Sequence, residues 1–324
     1  MPGPTIDSVQ PDASTPGPLF AIGGAEAKLR RRTVLRSFLE AAGGEQARIA
    51  VIPSASALGD EVVDVYRAVF TSLGAAEVIN VRPESRAEAH DQKLVDALDS
   101  ATGVFMTGGN QLKLSSHITG TPVGAAIEAA HLRGAVVGGT SAGASILAEH
   151  MIAFGGSGST PKQRMSQLAV GLGLVRGVVI DQHFQQRNRY GRLMSIVAQS
   201  PALLGLGVDE DTAAVITADQ RLRVVGRGSV VLIDGSQVVS NSHSAHRTAP
   251  LLFSGAQLHL LPAGAEFDLN SRQLIQVVTE LPPGEAEEVA AAEADLRQLA
   301  REIAAEGVSP SHYARRVRRR TKSS

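Results

Sequence analysis

Short apolar runs alternate with longer helical patterns from Leu19 to about Val208, and this alternation restricts the fold of the chain more than any other feature. It is the signature of βαβ units, in which parallel strands share a sheet and helices cross over it. Strands are expected at Leu19–Ile22, Ile49–Ile52, Glu77–Val81, Gly103–Met106, Ala135–Gly138, Gly177–Ile180 and Leu204–Val208. Helices are expected at Arg31–Ala42, Asp60–Leu73, Asp91–Leu98, Pro122–Arg133, Ala142–His150 and Tyr190–Gln199, with Asp60 and Thr121-Pro122 as N-terminal signals. The strands are apolar almost without interruption, which implies helices on both faces. The expected fold class is therefore α/β, a doubly wound, mostly parallel sheet.

After Asp211 the texture changes to short strands, Ala213–Thr217, Leu222–Val225 and Val230–Ile233, separated by turn residues, with Asp234-Gly235 before Val238-Val239. These read as antiparallel hairpins added at one edge of the same domain. Residues 1–18 carry five prolines and no apolar h-region, so they read as a disordered lead-in, neither signal peptide nor anchor. Residues 19–280 form one α/β domain on this reading, and 281–324 a helical and basic extension. In that extension Val289, Leu296, Leu299 and Ile303 recur at helical spacing before Arg315-Arg316-Val317-Arg318-Arg319-Arg320, either a solvated helix with a frayed tail or an attachment to a polyanion.

Cysteine is absent, which removes thiol nucleophiles, disulfides and Cys-based zinc sites and leaves hydroxyl chemistry as the main nucleophilic route. Aromatics make up 3% of the chain and the formal net charge is −1, so neither a stacking platform nor a global field points to nucleic acid. No segment has the uninterrupted apolar length of a membrane span, and the cytoplasm is the expected location. Gly23-Gly24-Ala25-Glu26 lacks dinucleotide-site spacing, and His243 with His246 lacks a third ligand, so neither a cofactor nor a metal is expected.

Gly139-Thr140-Ser141-Ala142-Gly143 contains G-x-S-x-G between an expected strand and an expected helix. Such glycines let a strand turn sharply into a helix and leave the middle side chain, Ser141, exposed on a strained elbow. The N–H of Ala142 would stabilise an oxyanion, with Gly109, in the turn after Gly103–Met106, as second donor. The same residues also suit a tight turn that only packs.

Ligands of doubly wound sheets sit at the C-terminal ends of the strands. There the chain places Gln111, which can orient a ligand; His183, after Gly177–Ile180, as general base; and Glu210, in Asp209-Glu210-Asp211 after Leu204–Val208, as the carboxylate that orients the imidazole. A structural histidine and an acidic hairpin start are the plain alternatives. Serine, then histidine, then acid is not the α/β-hydrolase order and implies another serine-hydrolase lineage. Arg187, Arg189 and Arg192 crowd beside His183 and read either as a clamp for an acidic substrate or as a solvated face. Gly155–Thr160 reads as a loop that gates the site or merely connects.

These stretches, with Ile52-Pro53-Ser54-Ala55-Ser56, Phe105–Leu112, Asp181-Gln182-His183-Phe184 and Leu204–Thr212, resemble the cyanophycinase family of serine peptidases, relatives of the peptidase E-type aspartyl dipeptidases. The resemblance spans about Phe20 to Leu260 and implies a Ser141–His183–Glu210 triad. It further implies an exopeptidase that releases β-Asp-Arg from cyanophycin, substrate contacts at Gln111, Asp181, Gln182, Arg187, Arg189 and Arg192, and a homodimer. The turn reads Gly-Gly-Asn-Gln where Gly-Gly-Asp-Gln is usual in that family. Cleavage of short aspartyl peptides and non-catalytic binding to polymer granules are the competing readings.

Overall fold

A computed structural model describes residues 15–29 and 31–276. These lie in the first of the two units into which the chain divides, 1–277 and 278–324. The expected helix at Glu285–Ile303, the basic run after it and most of the proline-rich lead-in fall outside the described residues. Just before the first strand, Gly17 N–H donates to the His131 carbonyl at 2.9 Å.

The elements follow in the order β1 (Leu19–Ile22), α1 (Thr33–Ala41), β2 (Arg48–Ile52), α2 (Asp60–Leu73), β3 (Glu77–Asn80), α3 (Gln92–Asp99), β4 (Gly103–Met106), α4 (Gln111–Ile118), α5 (Pro122–Leu132), β5 (Val136–Thr140) and α6 (Ala142–Ser145). Then come β6 (His150–Gly155), β7 (Ser166–Val170), β8 (Val178–Gln182), α7 (Tyr190–Gln199), β9 (Leu204–Val208), β10 (Thr212–Ile216), β11 (Arg221–Gly226) and β12 (Ser229–Asp234). The last strands are β13 (Val239–Ser240), β14 (Phe253–Ser254), β15 (Gln257–Pro262), β16 (Glu266–Asp268) and β17 (Gln273–Gln276).

One sheet has nine strands in the order β17-β16-β11-β10-β1-β5-β4-β2-β3. Pairing is parallel from β1 to β3 and antiparallel from β1 outward through β10, β11, β16 and β17, so β1 is the strand at which direction switches. Along β1 the side chains alternate: Phe20 and Ile22 enter one core, Leu19 and Ala21 the other. Both cores are apolar because both faces are covered. The few aromatics concentrate on the α1 and α2 face, where Phe20, Phe38, Phe70, Phe105 and Tyr66 pack with ring centroids 4.7–6.3 Å apart.

Two expectations need correction. First, the strands at 178–182 and 204–208 do not extend the main sheet. β10 already occupies the free edge of β1, so β8 and β9 pair with each other around α7 and build a second sheet, β15-β12-β9-β8. β12 pairs with β9 in that second sheet, so of the expected edge strands only β10 and β11 lie in the main sheet, where β16 and β17 extend the antiparallel edge. Second, the helix after the elbow stops at Ser145. The carbonyls of Ile146 and Leu147 accept N–H groups from Leu172, Leu174 and Val175 at 2.7–3.1 Å, and the chain turns into the hairpin β6–β7. Among the described residues no helix is long and apolar enough to cross a membrane.

Candidate active site

Ser141 stands between β5 and α6 with φ 53° and ψ −108°. A residue with a side chain holds such a conformation only when its surroundings enforce it. Here the enforcement comes from close backbone approach. A Cβ on Gly139 would lie 2.5 Å from the Gly143 carbonyl carbon, and one on Gly143 would lie 2.3 Å from the Met106 carbonyl oxygen. Only glycine lets β4, β5 and α6 meet this tightly. The Ser141 N–H donates to the Ile22 carbonyl at 2.9 Å, which locks the elbow to β1.

His183 follows β8, also at positive φ, 47°. Its N–H donates to the Gly23 carbonyl at 2.7 Å. Its Nε2 lies 2.9 Å from Ser141 Oγ and its Nδ1 lies 2.6 Å from Glu210 Oε1. With the ring proton assigned to Nδ1, the imidazole donates to Glu210 and accepts from the serine hydroxyl. Burial pushes the His183 pKa below the ordinary 6.5; the Glu210 hydrogen bond pulls it back up, and the nearby Arg187 charge pushes it down again.

Glu210 lies on the short link from β9 in one sheet to β10 in the other. Its neighbours do different work. Asp209 accepts from Gln185 N–H at 3.0 Å and from Ser229 N–H and Oγ at 3.1 and 2.8 Å, and Asp211 accepts from Ala27 N–H at 2.8 Å. The middle carboxylate is thus left to face the imidazole, and its own N–H donates to Gln186 Oε1 at 3.1 Å.

The turn after β4 runs beside the serine. A Cβ on Gly108 would lie 3.4 Å from Ser141 Cβ, while Gly109, at φ 146°, has room for none because the Ala55 carbonyl oxygen would be 2.1 Å away. Asn110 caps α4, its Oδ1 accepting from Leu112 and Lys113 N–H at 2.9 and 3.1 Å. Gly108, the residue before Gly109, thus lies against Ser141, and Ala142 follows Ser141 as the first residue of α6.

The expected substrate contacts divide into two groups. Arg187 is exposed beside His183. Asp181, Arg189 and Arg192 bind one another inside the protein, so Arg189 and Arg192 are not a solvated face. Asp181 is fully buried, and its Oδ2 takes Arg192 Nε at 2.6 Å while Oδ1 takes Arg192 Nη2 and Arg189 Nη1, the latter at 3.2 Å. Arg189 Nη1 also reaches the Gln182 carbonyl and Oε1 at 2.5 and 3.0 Å, so Gln182 belongs to the same internal cluster. Burial brings the Arg189 pKa down to about 10 against the pull of Asp181, and its Nε is buried without a partner. Gln111 donates to the Ile152 and Ala153 carbonyls at 3.1 and 2.9 Å and so anchors β6. The loop at 155–160 is tied to the arginine turn, Gly158 N–H donating to Asn188 O and Gly191 N–H to Gly158 O, at 2.7 and 2.8 Å.

The loop Gly23–Ala27, which no sequence motif marked as functional, contacts His183, Asp211 and Thr140, next to or within the segments of the site. The available signal was its place after β1 at the strand ends where ligands and catalytic groups gather. Among the described residues no three His, Cys, Asp or Glu side chains are grouped to hold a metal ion.

Residues 19–225 match the profile of peptidase family S51. The cyanophycinase of Synechococcus elongatus is 42% identical over 270 residues, 82% of this chain and 83% of that protein. That of Geminocystis herdmanii is 36% identical over 264 residues, 81% of this chain and 97% of its own. Among solved structures, a peptidase from an acI-B1 Actinobacterium shares the fold with a TM-score of 0.60 at 22% identity, over 79% of this chain and 98% of that one. The chain belongs to peptidase family S51.

Proposed function

We propose that this protein is a cyanophycinase, a serine exopeptidase that cuts the α-linked aspartate backbone of cyanophycin and releases β-Asp-Arg. The observation that carries the reading is the continuous path from Glu210 Oε1 to His183 Nδ1 and from Nε2 to Ser141 Oγ, at 2.6 and 2.9 Å. The cyanophycinases at 36–42% identity supply the substrate.

Ser141 Oγ attacks the scissile carbonyl while its proton passes to His183 Nε2, and Glu210 stabilises the resulting imidazolium. The N–H groups of Gly109 and Ala142 receive the oxyanion. Collapse of that intermediate breaks the C–N bond, His183 returns the proton to the leaving amine, and water releases the acyl group by the same route. Arg187 contacts a substrate carboxylate, and Gln182 and the Asp181–Arg189–Arg192 cluster hold the floor beneath it. We assign no cofactor to this chemistry and place the enzyme in the cytoplasm as a homodimer.

Incubation with purified cyanophycin tests the reading. Release of β-Asp-Arg that vanishes in Ser141→Ala supports it. Hydrolysis of Asp-X dipeptides alone moves the protein to the aspartyl dipeptidases, and polymer binding unaffected by Ser141→Ala without any product overturns catalysis altogether.

A further inference from the structure

The loop Gly23–Ala27 contacts the segments that carry all three proposed catalytic residues. The Gly23 carbonyl accepts from His183 N–H and the Gly24 carbonyl from Asp211 N–H, at 2.7 and 2.9 Å. The Gly24 Cα lies against the imidazole so closely that a Cβ there would be 2.3 Å from His183 Cε1. The third contact is made by Glu26, whose side chain is 1% exposed. Its Oε2 accepts from Thr140 Oγ1 at 2.5 Å, and its Oε1 accepts from Tyr66 Oη and Lys28 Nζ at 2.5 and 2.8 Å.

Thr140 is the residue immediately before Ser141, and the strained elbow needs a restraint on that side as well as on the Gly143 side. A buried carboxylate is costly unless it is fully paired, and this one has three donors. It is also rigidly mounted. Tyr66 packs against Phe105 with centroids 4.7 Å apart, and burial with the adjacent Glu26 charge raises its pKa, so its hydroxyl remains a donor. Lys28 lies over the same ring at 5.2 Å.

We infer that Glu26 is a positioning residue for the nucleophile, holding through the Thr140 hydroxyl the backbone that presents Ser141 Oγ to His183. The inference rests on the reading of Ser141 as nucleophile, and its test separates the two. Glu26→Gln, Thr140→Val, Thr140→Ser and the Glu26→Gln/Thr140→Val double variant are compared with wild type for kcat and KM on cyanophycin, for labelling of Ser141 by a fluorophosphonate, and for thermal unfolding.

Glu26→Gln and Thr140→Val should each lower kcat and the labelling rate about 10- to 100-fold, the scale of a misplaced reacting group, with KM within about twofold. The double variant should be no worse than the poorer single, because both act through one contact. Thr140→Ser, which keeps the hydroxyl, should retain most activity. If Glu26→Gln does not fold, the Thr140 pair carries the test alone. A folded Thr140→Val with wild-type kcat and labelling overturns the inference, and so does a change confined to KM or a loss that Thr140→Ser shares. A wild type whose Ser141 resists the probe, or an active Ser141→Ala, overturns the nucleophile reading instead.

Discussion

Arg192 grips Asp181 with two nitrogens, Nε on Oδ2 at 2.6 Å and Nη2 on Oδ1, and both side chains are almost wholly buried. Two guanidinium groups converge on this carboxylate, so its removal strands positive charge in the interior. Asp181→Ala should destabilise the protein by about 3–5 kcal/mol, the usual cost of breaking a buried ion pair from one side. Urea unfolding at neutral pH checks this, and a loss below about 1 kcal/mol would contradict a structural role for the pair.

Ser141→Ala should abolish turnover, and Glu210→Gln should lower kcat by roughly 10³- to 10⁴-fold with little change in unfolding temperature, because the imidazole loses the acceptor that sets its tautomer. Steady-state kinetics alongside a melting curve separate this from misfolding. Near-normal kcat in folded Glu210→Gln would remove Glu210 from the triad.

The pH profile has a definite sign. In the proposed mechanism His183 must be neutral to accept the serine proton, so kcat/KM should fall as pH drops through its pKa. That pKa is lowered, by burial first and by Arg187 in addition, which puts the acid limb below 6.5. Arg187→Gln removes a charge that lowers it, so the limb should move to higher pH, and less so at high salt because Arg187 is exposed. A limb unmoved or shifted downward in low-salt buffer would show that this charge does not reach the imidazole.

Gly109→Ala should cost about 10²-fold in kcat, the range for losing one oxyanion donor, because the turn must retreat from a Cβ placed 2.1 Å from the Ala55 carbonyl oxygen. Single-turnover acylation measures it. An unaltered rate would mean that the Gly109 N–H takes no part.

Much of this architecture was readable from the chain, and the failures have physical causes. α7 begins and ends where periodicity predicted, Tyr190–Gln199, because its Leu193, Ile196 and Val197 pack with Ile152, Val179, Phe184, Val231 and Ile233 while its Arg192, Ser195 and Gln199 are outside that cluster. The helix predicted to reach His150 failed because Ile146, Leu147 and Ala148 are all fully buried, and an apolar run without a polar face carries no period to distinguish helix from turn. Strand and helix alternation foretold that β8 and β9 pair in parallel, but local pattern does not say which sheet receives them. The proposed triad could be picked out as candidates because Ser141 and His183 directly follow strands and Glu210 comes two residues after one. The pairing of Asp181 with Arg189 and Arg192 could not, since charged side chains near a site look the same whether they face a ligand or each other.

Ser141 follows a strand of the nine-stranded sheet, whereas His183 follows a strand of the other sheet and Glu210 lies on the link between the two. The proton path therefore exists only when the two sheets are docked. In chain order Ser141 comes before the proposed base and its proposed orienter, which follow at residues 183 and 210. On the proposed triad, hydrolytic activity therefore reports that the two sheets have come together.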